Sequence, residues 1–351
     1  MGNKINVLVT GAGGAGVGSQ VIKALRIADT QYNIVATDVT NASSIFSQAD
    51  KSYVVPLAND NDYIPKLLEI CEKEKILALV PGSEQELTRI SEHRELFKER
   101  GIFLLINDTN IVKLCMNKWE TYKFLLDNGF NVPKTAITDD ERVIGGAINL
   151  PLIVKPMSES FGSSNVYIAQ NYDEAFFFIK YLMKQGIKPL VQEYIGSCDD
   201  EYTVGVLTDM VNGELIGSIA LKRNISTGLS NRLKIKNRCS IEKHSEILAI
   251  SSGVSQGEFN IYPDVREYCE RIALKLGSKG AMNIQCRKYR GKVYPFEINP
   301  RHSGTTYLRA MVGFNEIDIL IRKHILNKEI SNINYRIGNV VRGTAEYLVS
   351  I

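Results

Sequence analysis

At 351 residues and 44% hydrophobic content, the chain carries enough apolar material for two or three packed units. Its 42 basic and 39 acidic residues nearly cancel, which excludes a global field that would draw in nucleic acid or an anionic membrane. The six cysteines show no CxxC pair, and no apolar run approaches the roughly 18 residues that span a bilayer, so the expectation is a reduced, cytoplasmic protein whose start lacks the pattern of a signal peptide.

The first hundred residues alternate strand and helix. Ile5 to Thr10 is a branched apolar run of the kind buried on both faces of a parallel sheet. The glycine cluster Gly11-Ala12-Gly13-Gly14-Ala15-Gly16 follows, then a helical stretch around Gln20 to Ile27. A strand at Ile34 to Thr37, a helix at Tyr63 to Lys73 and a strand at Ile76 to Val80 come next, the last closed by Pro81-Gly82. A helix at Glu86 to Glu99 leads into the strand Ile102 to Ile106. Such alternation predicts a doubly wound parallel sheet.

After Asn107 the pattern changes class. A helix at Lys118 to Asn128 stops at Gly129, with Pro133 just beyond. From Pro151 onward strands and helices mix with antiparallel hairpins, two of them marked by turn residues at Asn212-Gly213 and Arg290-Gly291. The reading is an α/β unit followed by α+β units, divided as residues 1–112, 113–190 and 191–351.

Three stretches carry chemistry. The first runs from Ala281-Met-Asn-Ile-Gln285 through a hairpin to Phe296-Glu-Ile-Asn-Pro-Arg301. Strand alternation points Glu297, Asn299 and Arg301 one way, and folding at Arg290-Gly291 brings Gln285 nearly opposite Glu297. Carboxylate and amide oxygens suit Mg²⁺, and a guanidinium suits phosphate. An exposed polar strand face explains the same residues without any ligand. The second stretch is Pro151-Leu-Ile-Val-Lys155-Pro156 with a loop of small residues through Asn165, whose backbone N–H groups can meet phosphate oxygens. The third is Pro189-Leu-Val-Gln-Glu193-Tyr-Ile195-Gly196 followed by Asp199, Asp200 and Glu201, which offers backbone hydrogen bonds at an adenine edge and a carboxylate for ribose hydroxyls.

In this order the three stretches resemble the ATP-grasp superfamily, most closely a single synthetase half of the carbamoyl-phosphate synthetase large subunit. The resemblance covers nearly the whole chain and is most specific at Glu297-Ile-Asn-Pro-Arg301 with Met282-Asn-Ile-Gln285. It implies a Rossmann-like domain followed by a two-lobed ATP-grasp domain, with ATP and one or two Mg²⁺ (or Mn²⁺) as cofactors. Gln285, Glu297 and Asn299 are then metal ligands, with Gln285 also near the nucleotide. Arg301 and Lys155 are the catalytic phosphate contacts, and Lys118 is a second basic contact. Ser160, Gly162, Ser163 and Ser164 form the phosphate lid, Glu193 and Ile195 the adenine hinge, and Glu201 the ribose carboxylate. The implied activity is an ATP-dependent carboxylate–amine ligase working through an acyl phosphate, with small-molecule acid and amine as substrates and a homodimer left open. One ATP-grasp copy without a glutamine-hydrolysing part points to a single synthetase unit.

Two other readings compete. Carboxyphosphate and carbamate chemistry is the alternative within the resemblance. The glycines Gly11, Gly13 and Gly16 also satisfy GxGxxG, with Asp38 roughly twenty residues on, the spacing of a NAD(P)-binding oxidoreductase. Substrate recognition has three weaker candidates: Glu84 and Glu86 at a strand end as amine receptors, the basic segment 222–238 as an anion loop, and His302 beside Arg301. Helix-start acids that favour the dipole, and a solvated basic surface, explain the first two equally well.

Overall fold

The computed structural model describes residues 4–14, 16–137, 148–158, 165–239, 245–331, 333–343 and 346–349. The N-terminal unit holds strands β1 (Ile5–Val9), β2 (Tyr32–Asp38), β3 (Lys51–Val54), β4 (Ala78–Val80) and β5 (Phe103–Leu104). Helices α1 (Val17–Arg26), α2 (Tyr63–Lys73), α3 (Glu84–Glu92) and α4 (Arg94–Lys98) connect them. The sheet is parallel, in the order β3-β2-β1-β4-β5. Helix α1 covers one face, and α2 and α3 cover the other. The expected long helix at Glu86 to Glu99 is two helices, broken at His93. Strand β3 escapes a hydrophobic reading because its residues are exposed or half-buried, as an edge strand allows.

Helices α5 (Thr109–Met116) and α6 (Lys118–Asp127) follow. Asn117 caps α6 by accepting from the backbone N–H groups of Trp119 and Glu120. A four-stranded antiparallel sheet in the order β6-β9-β7-β8 comes next, with β6 (Thr135–Ala136), β7 (Leu152–Pro156), β8 (Tyr167–Ala169) and β9 (Pro189–Glu193). It packs on α7 (Tyr172–Lys184) through its own apolar cluster, including Leu152, Val154, Ile179 and Val191.

The last unit is a seven-stranded antiparallel sheet in the order β16-β15-β10-β11-β14-β17-β18. Its members are β10 (Glu201–Thr208), β11 (Leu215–Arg223), β14 (Gly257–Asn260), β15 (Ala281–Tyr289), β16 (Lys292–Asn299), β17 (Gly338–Arg342) and β18 (Glu346–Val349). A separate hairpin joins β12 (Asn231–Lys236) to β13 (Ile247–Ser251). Helices α8 (Pro263–Leu276), α9 (Thr306–Met311) and α10 (Glu316–His324) complete it. The mixed α/β architecture with a parallel first sheet and antiparallel later sheets is the one expected from the sequence.

The cores decide which units move together. One apolar cluster runs from Val21, Ile22 and Leu25 of α1 into Leu308, Ile317, Leu320 and Ile321 of α9 and α10. Each such side chain contributes about 1.5–3 kcal/mol when buried, so the N-terminal sheet and the large antiparallel sheet are welded. The small four-stranded sheet meets the large lobe through a lesser cluster, Ile168 and Tyr194 against Leu248 and Ile250. Among the described residues no helix is long and apolar enough to cross a membrane.

Candidate active site

The floor of the site is the β15–β16 hairpin. Arg290 and Gly291 turn at φ 48° and 74°, the positive-φ pair that a two-residue hairpin requires. Simple pairing from Tyr289 opposite Lys292 would set Gln285 against Phe296. A bulge inserts Phe296 as an extra residue, so that Gln285 faces Glu297 and Asn283 faces Asn299. The carbonyl of Phe296 accepts a hydrogen bond from Lys155 Nζ at 3.2 Å. Across the other edge of β15, Glu201, Thr203 and Gly205 pair with Arg287, Gln285 and Asn283. Alternation collects these polar residues on one face, while Met282, Ile284, Cys286 and Ile298 pack into the core with α8.

The oxygens on this floor are held by the chain's own cations. Gln285 Oε1 accepts from Arg223 Nη1 at 3.0 Å, and Asn299 Oδ1 accepts from Arg301 Nη2 at 3.3 Å. Asn299 Nδ2 donates to Glu297 Oε1 at 3.2 Å. The buried Nε atoms of Arg223 and Arg301 find no hydrogen-bond partner among the described residues. Those residues contain no group of three or more His, Cys, Asp or Glu side chains that could hold a metal. One carboxylate and two amides suit Mg²⁺, which keeps waters and completes its shell with phosphate oxygens. The orphaned guanidinium nitrogens fit an anion beside it.

Lys155 is 6% exposed and donates to Gln192 Oε1 at 2.8 Å. Burial, and then the charge of Lys118, pull its ammonium down to about 7 against the opposing effect of Glu297. Lys118 stands in the first turn of α6. The helix dipole disfavours a cation there, so its placement beside Lys155 serves the cleft and not the helix.

Behind these cations an apolar slot is walled by Ile153, Val166, Tyr194, Ile195, Ile250 and Phe296, with Glu193 and Glu201 on its lining. Tyr194 N–H is used by Pro151 O, and Arg287 lies 4.0 Å from the Tyr194 ring centroid. Arg287 also donates to Ile195 O at 3.3 Å. Both oxygens of Glu201 are engaged, Oε2 by Arg287 at 2.8 Å and Oε1 by Arg223 at 3.2 Å. The structure thus brings together Lys118, Lys155, Glu193, Ile195, Glu201, Gln285 and Glu297. Asn299 and Arg301 stand one step along the floor, on the adjoining cavities. Ser160, Gly162, Ser163 and Ser164 lie outside the described residues.

The weaker candidates separate. Lys222 pairs with Asp200 at 2.9 Å and Arg238 with Glu174, while Arg232, Lys234 and Lys236 alternate on the exposed side of β12. Only Arg223 of the basic segment enters the site. His302 is buried, with Nδ1 3.5 Å from Glu316. Asp38 accepts from the backbone N–H groups of Gly13 and Val39, so its carboxylate closes the glycine turn on itself. A dinucleotide ribose would have to displace those bonds.

Sequence reading missed Arg287 and the buried pair Arg309–Glu316. Arg287 was accessible, because strand parity places it on the face of Gln285. Arg309 donates to Glu316 Oε1 and to Asn283 Oδ1, both at 2.6 Å, beneath β15. Burial alone would raise the Glu316 carboxyl, but Arg309 and then His302 outweigh it and hold it at about 2. Gly205 admits the pair, since a Cβ there would sit 2.3 Å from Arg309 Nη1.

Comparison with known proteins follows the same division. Residues 7–105 match the PylC-like N-terminal domain family. Residues 115–255 match the RimK-like ATP-grasp domain, and 188–337 match the family described as ATP-grasp in the biosynthetic pathway with Ter operon. The chain is 24% identical over 358 residues to the carbamoyl phosphate synthase large chain of Clostridium beijerinckii, covering 95% of this chain and 30% of that one. It therefore spans about a third of the length of the curated relatives it matches. Biotin carboxylase of Campylobacter jejuni superposes with a TM-score of 0.66 at 14% identity, covering 96% of this chain and 75% of the other. The biotin carboxylase domain of Hydrogenobacter thermophilus 2-oxoglutarate carboxylase, solved with MgADP, ADP and bicarbonate, gives 0.65 at 16% identity, covering 97% and 74%. With two ATP-grasp profiles that together span residues 115–337, on the lobes that build the oxygen-lined floor, the chain is an ATP-grasp protein, similar to a single synthetase half of the carbamoyl phosphate synthase large chain.

Proposed function

We propose that this protein is an ATP- and Mg²⁺-dependent ligase that activates a carboxylate as an acyl phosphate and joins it to an amine. The observation that carries the reading is convergence. Gln285, Glu297 and Asn299 offer oxygens on the floor where Lys155, Lys118, Arg223 and Arg301 gather positive charge, at the mouth of an apolar slot. Those three side-chain oxygens would hold Mg²⁺, which would supply charge neutralisation to the phosphates.

The chain's own residues do the rest. Ile153, Ile195 and Phe296 give a flat base its apolar walls, and the 193–195 backbone meets its edge. Glu201 sets Arg287 and Arg223 at the ribose end of the slot. Lys118 and Lys155 hold the phosphate oxygens, and Arg301 faces the γ-phosphoryl group from the floor. The substrate carboxylate oxygen attacks γ-phosphorus in line, and the bond to the ADP oxygen breaks. The amine nitrogen, as the free base, then bonds to the acyl carbon, the carbon–oxygen bond to phosphate breaks, and phosphate leaves with that oxygen and takes up the proton that the nitrogen loses. Exclusion of water protects the intermediate from hydrolysis.

Glu297→Ala tests the assignment. Loss of the one carboxylate in the ligand set lowers Mg-dependent ATP turnover about a hundredfold, the order found on removing one transition-state contact, while the folded far-UV spectrum is retained. Near-normal turnover in the folded variant sinks the reading. The match to carbamoyl phosphate synthase along 95% of the chain favours a second reading, in which bicarbonate is the carboxylate and carboxyphosphate the product. Phosphate release that depends on bicarbonate and on no organic acid selects it.

A further inference from the structure

The loop after β4 delivers two acids into α3, and the structure assigns them different work. Glu86 is 6% exposed, accepts from Tyr63 Oη at 2.9 Å and from Ser83 Oγ at 2.8 Å, and is pushed up by burial. It ties the loop to the domain and is closed to ligands. Glu84 instead stands where three cavities meet. One holds Lys118 and Glu297, one holds Gly16, Arg223, Arg301 and Ser303, and one is the outer groove beside Gln85 and Lys113.

The middle cavity lies outside the carboxyl ends of β1 and β4. There the strand order β3-β2-β1-β4-β5 turns in opposite directions, which is the place where open α/β sheets bind ligands. Gly82 lets the two loops meet, since a Cβ there would sit 2.1 Å from Thr10 O. The acids on the wall of this cavity are Glu84 and Glu297. Glu297 belongs to the metal-ligand set, so an ammonium group entering the cavity has Glu84 as its carboxylate. That carboxylate uses Oε1 to bind Arg301 Nη2 at 2.8 Å, across 217 residues of sequence.

We propose that Glu84 recognises the primary amine of the second substrate, and that its ion pair with Arg301 couples the amine's arrival to the nucleotide. The inference rests on the ligase reading above. In the free chain one arm of Arg301 is divided between Glu84 and Asn299. A primary ammonium gives Glu84 a new charged partner, and the Nη2 arm becomes free to turn to a phosphate while Nη1 stays on the carbonyl of His302 at 3.0 Å. The two sites are then linked, and each ligand strengthens the other.

The affinity of the full chain for the magnesium complex of AMPPNP, a non-hydrolysable ATP analogue that keeps the γ-phosphoryl group, reads this directly. Methylammonium chloride and glycinamide hydrochloride are the probes, with tetramethylammonium chloride, which cannot donate a hydrogen bond, as the control at equal ionic strength. In the unaltered protein the primary amines tighten Mg-AMPPNP binding by about fivefold or more, the lower end of coupling between linked sites, and tetramethylammonium does not. Glu84→Gln keeps the side-chain size, binds Mg-AMPPNP as tightly as the amine-saturated protein, and no longer responds to amines. Unchanged Mg-AMPPNP affinity in the unaltered protein with saturating primary amine overturns the inference, and that arm needs no variant to fold. An equal response in Glu84→Gln overturns it as well. Failure of Mg-AMPPNP to bind at all is a separate result, which removes the ligase reading and the inference with it.

Discussion

Lys155 is the group on which a nucleotide's charge acts most directly, because it is buried and its ammonium is pulled down to about 7. Phosphate oxygens favour the charged form, so binding raises that value. At pH 8 the free chain leaves Lys155 largely neutral, and Mg-ATP binding should draw up to about one proton from the buffer. Below pH ~6 the side chain is already charged and the uptake should vanish. Titration calorimetry at pH 8 in two buffers of different ionisation enthalpy measures the proton number. No uptake at pH 8 means that Lys155 does not face the phosphates. The sequence shows this lysine as a charge leaving an apolar strand, but burial, the Gln192 amide and the nearby Lys118 come from three separate segments. Its lowered affinity for protons is therefore invisible in one dimension.

At the scale of elements, what was legible in the sequence was local. The β15–β16 hairpin follows from two turn residues and side-chain parity, and the opposition of Gln285 and Glu297 comes out as the sequence suggests. The bulge at Phe296 that secures it has no sequence marker beyond Pro295, a residue tolerated in strands at bulges and edges. Arg309 and Glu316 fail for a different reason. A base in the last turn of α9 and an acid in the first turn of α10 read as ordinary complements to the helix dipole. Only the fold shows both fully buried beneath Gly205, with Arg309 bonded to Asn283. Arg309→Met leaves Glu316 as an uncompensated buried charge, and the expected loss of stability is about 3–5 kcal/mol. Replacing both partners with apolar residues should recover most of it. Urea unfolding of the three proteins decides the matter, and a single-variant loss under about 1 kcal/mol shows that the pair is not insulated from water.

At the scale of the whole molecule, the distribution of cores predicts which part moves when nucleotide binds. The slot lies between the four-stranded sheet, which supplies Ile153, Lys155 and, at and just beyond the end of β9, residues 193–195, and the large antiparallel sheet, which supplies Gln285, Arg287 and Glu297. The first of these has its own core around Leu152, Ile179 and Leu182 and meets the large lobe through a small cluster. The N-terminal sheet shares a continuous core with α9 and α10, and Tyr32 Oη donates to Asp318 at 2.6 Å across that join. Sliding a packed core is costly, whereas rotation about a thin contact is not. The small sheet should therefore close on the nucleotide while the other two units stay as one body. Hydrogen exchange measures this residue by residue, because closure and ligand contact raise local opening free energies. Saturating Mg-ADP should slow exchange in β7, β9 and the β12–β13 hairpin, and leave β1, β2 and α1 unchanged. Protection of equal size in α1 and β1 would instead mean that the N-terminal unit swings as well, and the shared core would not be the weld described above.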